Sequence, residues 1–262
     1  MIVAGLQMDI VWEAPEENFA CAAVLAERAA RTGARLLALP EMFATGFTME
    51  AERAAAHAER TRSFCSDLAN RHGVWVLGGY VEPGRARPRN TCALIDPAGQ
   101  ERLRYHKIHP FTLAGEDRHY EGGDALPTAE VEGVRVTPLI CYDLRFPEPF
   151  RAAAAGTDLF VVIANWPTRR REAWSTLLRA RAIENQAFVL GVNRVGDGGG
   201  EPHSGDSALI DPLGRTRAAA ADVPAVVEGP VDAADVADVR RRFSFLADRR
   251  PDVYRRLGGA GP

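Results

Sequence analysis

Lysine is almost missing from this chain. Of its 32 basic side chains in 262 residues, only Lys107 is not arginine. Cysteine is sparse as well: Cys21, Cys65, Cys92 and Cys141 are far apart, with no CxxC pair and no zinc-ligand spacing. That excludes a disulfide framework and predicts a reduced, cytoplasmic setting. No run of about 18 apolar residues is present, so no membrane span is expected. Residues 1–9 lack the basic start of a signal peptide. A net charge of −3 leaves no positive excess for nucleic acid or an anionic membrane. The basic run Arg169-Arg170-Arg171 reads as a solvated face rather than a binding one. There is no G-x-S-x-G elbow. The run Gly196 to Glu201 starts like a dinucleotide fingerprint, but Glu201 replaces its last glycine and no helix is predicted after it. His106 and His109 have no third ligand near them in sequence. Neither a metal nor an organic cofactor is expected.

What is present alternates between apolar strands and amphipathic helices. Strands are predicted at 2–8, 36–39, 74–81, 134–140, 159–164, 188–195 and 225–231. Helices are predicted at 15–31 and 59–72, from Pro147 to near Gly156, at 172–186, and from near Ala233. Pro15 opens the first helix, where its missing N–H costs nothing, and Gly33 and Gly73 follow helix ends. The segment Gly115 to Asp124 reads as an irregular loop. Ala93-Leu94-Ile95-Asp96-Pro97-Ala98-Gly99 recurs as Ala208-Leu209-Ile210-Asp211-Pro212-Leu213-Gly214. Each copy supplies a hairpin turn, and each follows a helix and an apolar strand. Two related halves, each a sheet with flanking helices, predict an α/β four-layer α-β-β-α sandwich. No linker divides them, so residues 1–262 are expected to form one domain, with 258–262 as a disordered tail.

Three strand ends carry a reactive side chain. Cys141 ends the strand at 134–140 and precedes a turn into a helix. Such a turn exposes a thiol and aims backbone N–H groups at an incoming carbonyl. From position alone, Cys141 is either a nucleophile or a small buried apolar residue. The other three cysteines read as packing. Glu41 directly follows Leu36-Leu37-Ala38-Leu39-Pro40, where a partly buried carboxylate suits a general base. Lys107 ends a hairpin strand, where a fixed positive charge can hold an oxyanion and acidify a nearby thiol.

Taken in order, these segments resemble the nitrilase, or carbon–nitrogen hydrolase, superfamily. The likeness rests on Leu39-Pro40-Glu41-Met42-Phe43, His106-Lys107-Ile108-His109 and Ile140-Cys141-Tyr142-Asp143-Leu144-Arg145-Phe146-Pro147. Ala164-Asn165-Trp166-Pro167, Arg181-Ala182-Ile183-Glu184-Asn185-Gln186 and Asn193-Arg194-Val195-Gly196 extend it over nearly the whole chain. The resemblance implies the same sandwich, with Glu41 as general base, Lys107 as oxyanion stabiliser and Cys141 as nucleophile. It also implies a second glutamate after the lysine: Glu116, with Glu121 as the alternative. Phe47, Tyr142 and Trp166 would wall a small pocket, and Arg145 is the candidate cation for a substrate carboxylate.

Within that family, residues 43–47, 114–117 and 165–167 look most like bacterial ω-amidases. Those enzymes hydrolyse the terminal amide of 2-oxoglutaramate or 2-oxosuccinamate. Cys141-Tyr142-Asp143 favours amides over nitriles. The alternatives are an N-carbamoyl amine amidohydrolase, a deaminated-glutathione amidase or an aliphatic nitrilase. Outside the family stand a redox-reactive scaffold protein and a nucleotide-binding module, the latter without a phosphate loop. The expected partners are a small amide substrate and further copies of the chain, in a homodimer or a larger homo-oligomer.

Overall fold

The structure is a computed structural model that describes residues 1–258. The expected tail falls almost wholly beyond it. Its first half runs β1 (Ile2–Gln7), α1 (Pro15–Arg31), β2 (Ala34–Ala38), α2 (Ala51–Ala55), α3 (Ala58–His72), β3 (Trp75–Glu82), β4 (Arg89–Ile95) and β5 (Glu101–His106). After α4 (Glu116–His119), the second half runs β6 (Ala129–Val131), β7 (Val134–Ile140), α5 (Pro147–Ala153), β8 (Leu159–Ala164), α6 (Arg171–Asn185) and β9 (Phe188–Asn193). A small ribbon of β10 (Val195–Asp197) and β11 (Pro202–Ser204) comes next. It is followed by β12 (Ser207–Ile210), β13 (Thr216–Ala220), β14 (Ala225–Pro230), α7 (Ala233–Arg242) and α8 (Pro251–Gly258).

Two six-stranded sheets form, in the orders β14-β1-β2-β3-β4-β5 and β13-β12-β9-β8-β7-β6. Read from β14 and from β6, the two sheets match strand for strand. Each has an antiparallel edge strand, three parallel strands and an antiparallel hairpin. The repeated hairpin turns sit at equivalent places, between β4 and β5 and between β12 and β13. The separation of halves is not complete in sequence, because β14 pairs with β1 and closes the first sheet.

Side-chain alternation makes the layers. In β1, Val3 joins the core between the sheets, while Ala4 and Leu6 face α1 and α3 beside Phe19, Leu25 and Leu68. In the second sheet, Val161 and Ile163 meet the first sheet, and Phe160 and Val162 face Trp174 and Leu178 of α6. Parallel strands covered on both faces read as unbroken apolar runs, as Leu159–Ala164 does. Every residue of that strand is buried.

One expectation fails locally. Within 115–124, Glu116–His119 is a helical turn rather than irregular chain. Glu116 is the reason: its carboxylate accepts the Phe111 N–H at 2.5 Å while its own N–H donates to Phe111 O at 3.1 Å. The two bonds fold the segment back on itself.

Candidate active site

The first sheet brings two functional groups to one end of the sandwich. Pro40 ends the run after β2, and the chain turns so that Glu41 points between the sheets. Gly79 on β3 permits the turn. A Cβ there would lie 2.6 Å from Pro40 O and 2.9 Å from Glu41 Cα, closer than any side chain allows. Lys107 leaves the end of β5, and its N–H donates to Asn90 O at 2.9 Å. The second sheet supplies Cys141, the first residue after β7.

Glu41, Glu116 and Lys107 are each at most 1% exposed. Lys107 Nζ donates to Glu41 Oε1 at 2.9 Å and to Glu116 Oε2 at 2.8 Å. Burial by itself disfavours the charged ammonium. The charges of Glu116 and Glu41 outweigh it, and its pKa lies well above the usual lysine value. Glu116 is pushed up, by burial first, against the pull of Lys107 and with a push from Glu41.

Two asparagines complete the charge cluster, and sequence reasoning assigned neither a role. Asn90 Nδ2 donates to Glu41 Oε1 at 2.7 Å and to Glu116 Oε1 at 2.9 Å. The Asn165 N–H donates to Glu41 Oε2 at 2.8 Å, and Asn165 Nδ2 donates to Glu41 O at 2.5 Å. Asn165 was visible inside its motif. Asn90 carried no signal, because a polar residue opening a hairpin strand is ordinary.

Cys141 has φ +46°, in the left-handed region that costs a non-glycine residue about 1–2 kcal/mol. A short helical turn, Cys141–Arg145, begins there. Cys141 Sγ lies 3.9 Å from Asn165 O. The expected acidification of this thiol by Lys107 is not the net result. Burial raises the Cys141 pKa well above that of an ordinary cysteine, Glu41 raises it further, and Lys107 offsets only part. Burial and the Glu41 charge together outweigh the lysine at this thiol. Cys65 and Cys92 are packed in the core, where burial pushes Cys65 up to about 12 and Cys92 well above its usual value.

A cavity of about 170 Å³ opens over Cys141. Phe47, Tyr142, Arg145 and Trp166 all line it, as do Phe111, Asn165 and Trp12. The ring of Phe47 lies 5.2 Å from Lys107 Nζ, and Phe111 tilts against Tyr142 at 4.7 Å. Arg145 sits over Trp166 at 5.1 Å.

The reading of residues 169–171 as a solvated face holds for Arg169 and Arg171, whose side chains are 64% and 40% exposed, and fails at Arg170. Arg169 and Arg170 line the cavity, and Arg170 packs over Phe111 at 5.0 Å. Only Arg171 points away, to Asp206 at 2.6 Å. Trp166 Nε1 donates to Arg170 O at 2.9 Å, and this bond turns the segment inward. Arg169 meets Glu201 at 3.1 Å, on the glycine-rich loop between β10 and β11. Among the described residues, no acidic side chain lies within 4.0 Å of Arg145 or Arg170.

Of the two glutamates considered after Lys107, the fold brings only Glu116 to it. Glu121 instead binds Arg89 and the N–H groups of Arg85 and Ala86. His106 and His109 part company, His106 toward Glu82 and His109 toward Asp143. Among the described residues, no three His, Cys, Asp or Glu side chains gather as a metal site. No helix among them is long and apolar enough to cross a membrane.

Known proteins share this architecture. The family model described as carbon-nitrogen hydrolase matches residues 2–241. The 2-oxoglutaramate amidase of Bacillus subtilis (strain 168) is 34% identical, covering 96% of this chain and 98% of its own. Omega-amidase YafV of Escherichia coli (strain K12) is 37% identical over 83% of this chain and 85% of its own. The crystal structure of XC1258 from Xanthomonas campestris, described as a CN-hydrolase superfamily protein, superposes with a TM-score of 0.90. It is 34% identical and covers 95% of this chain and 97% of that one.

Proposed function

This chain belongs to the carbon–nitrogen hydrolase family, and from that premise we propose a thiol amidase that acts on small amides bearing a carboxylate. As a member of that family it is a hydrolase of carbon–nitrogen bonds. The proposed substrates are 2-oxoglutaramate and 2-oxosuccinamate. One observation carries the reading: Cys141 lines the cavity beside a buried Glu41–Lys107–Glu116 cluster, and Arg145 and Arg170 line it with no acidic partner within 4.0 Å among the described residues.

In the proposed mechanism, the Glu41 carboxylate takes the Cys141 proton as Sγ attacks the amide carbon. The raised pKa of Cys141 fits this order, because the proton then leaves as the new bond forms. The Lys107 ammonium and the Tyr142 N–H hold the tetrahedral oxyanion. Glu41 returns its proton to the nitrogen, the C–N bond breaks, and ammonia leaves a thioester on Cys141. Glu41 then deprotonates a water that attacks the thioester carbon. The C–S bond breaks, the thiol regains its proton, and the acid departs. Glu116 holds Lys107 in place. Arg145 and Arg170 hold the substrate carboxylate, while Phe47, Tyr142 and Trp166 enclose its carbon chain.

The proposal extends to a homodimer in the cytoplasm. The family resemblance supports the pairing, and four free thiols support a reducing compartment. The test is ammonia release from 2-oxoglutaramate and 2-oxosuccinamate beside a carbamoyl amine, deaminated glutathione and an aliphatic nitrile. Preference for the first two is expected, and Cys141→Ala should fold normally yet release none. Turnover by that variant would sink the mechanism. Preference for a nitrile or a carbamoyl amine would sink the substrate assignment.

A further inference from the structure

We propose that Asp143 is a positioning residue whose carboxylate ties the lysine-bearing segment of one sheet to the cysteine-bearing turn of the other. The inference rests on the roles proposed above for Lys107 and Cys141. Asp143 lies two residues after Cys141 and is fully buried. Its Oδ2 accepts the Ile140 N–H at 3.0 Å, the bond that pins the residue just before Cys141. The same oxygen accepts the Tyr105 hydroxyl at 2.6 Å. Its Oδ1 accepts the His109 N–H at 3.0 Å and lies 2.8 Å from His109 Nδ1.

Tyr105 and His109 flank Lys107 at two residues on either side. Asp143 therefore grips the chain before and after the lysine and, with the same carboxylate, the strand end before the cysteine. The His109 ring is further fixed by stacking on Phe146 at 3.8 Å, and the Phe146 N–H donates to Asp143 O at 3.0 Å. Packing alone does not require an acid here, since a buried carboxylate is costly unless hydrogen bonds saturate it. In this site both oxygens are occupied, and each joins the two segments. The consequence is a set spacing between the Lys107 ammonium and Cys141 Sγ. Lys107 opposes the rise in the thiol's pKa, so a looser spacing should make the thiol harder to ionise.

Tyr105→Phe and His109→Gln each remove a cross-link while leaving Asp143 in place, and Asp143→Asn is the stronger companion. The measurement is the pH midpoint for alkylation of Cys141 by iodoacetamide, made with and without Lys107→Met. Each single variant should raise the midpoint by about half a pH unit or more. In the Lys107→Met background the same changes should move it no further. With 2-oxoglutaramate, kcat should fall about ten- to a hundredfold at a KM within about twofold. Wild-type midpoints and kcat in both single variants would overturn the proposal, even if their melting temperatures fell. So would a midpoint shift that persists without Lys107, because Asp143 would then act on the cysteine directly. Alkylation needs no substrate, so a failure to find any cleaved amide would count against the proposed function and leave this coupling to be decided separately.

Discussion

Lys107 Nζ stands 2.9 Å from Glu41 Oε1, although 66 residues separate them along the chain. The same oxygen receives Asn90 Nδ2 at 2.7 Å, and Glu41 Oε2 receives the Asn165 N–H at 2.8 Å. Both oxygens are therefore oriented before any substrate arrives. Such preorganisation lets a buried charge act without reorganising during the reaction.

Glu41→Gln should separate acidity from turnover. The Glu41 charge raises the thiol's pKa, so its removal should lower the pH midpoint for Cys141 alkylation. Turnover should nevertheless fall by about a hundredfold or more, because the proposed proton acceptor is gone. A midpoint that rises, or a kcat that survives, contradicts the assigned role.

Asn90→Leu should loosen the two glutamates without touching Cys141, the proposed nucleophile. It removes donors to Glu41 and Glu116 at 2.7 and 2.9 Å. Leaving buried acceptors short of a partner costs about 1–3 kcal/mol, which denaturant unfolding would read. A kcat loss larger than the KM change is expected. Unchanged stability and kcat would show that the asparagine only fills space.

Arg145→Met and Arg170→Met address substrate choice. A charge-assisted hydrogen bond contributes about 1.5–3 kcal/mol, so each change should raise KM for 2-oxoglutaramate by about ten- to a hundredfold. Against a neutral amide such as butyramide, activity should hold or improve. An equal loss on both substrates would assign these arginines to folding rather than recognition.

His203 lines the cavity and carries an acid sensitivity of the fold. Burial, with help from the Arg194 charge, pushes its pKa from 6.5 down to about 4. The fold favours the neutral ring, whereas the unfolded chain takes up a proton at higher pH. Its contribution is complete above pH 6.5 and is lost as pH falls toward 4, by at most about 3 kcal/mol. Melting of His203→Gln should depend less on pH across that window than melting of the wild type. Parallel curves would refute this.

Much of the architecture was legible because its causes are local. The short apolar run Leu159–Ala164 reads as a strand covered on both faces, and Pro15, Gly33 and Gly73 mark helix ends by backbone chemistry. The duplicated turns at 96–99 and 211–214 announced two equivalent hairpins. The helical turn at 116–119 escaped because its cause is a side chain reaching back to the Phe111 N–H. The inward course of Arg170 escaped for a similar reason: a triple arginine run reads as solvated until Trp166 is seen to hold its backbone.

The site divides the same way. From the sequence alone come the reactive residue types, their places at strand ends, the solitary lysine and the family they resemble. Those follow from local propensity and from the order of motifs along one chain. Only the tertiary structure decides that Glu116, not Glu121, meets the lysine, that Asn90 bridges two carboxyl groups, and that burial and Glu41 raise the pKa of Cys141. The physical reason is that hydrogen bonds and desolvation depend on distances through space. Strands from two sheets had to pack before those distances existed.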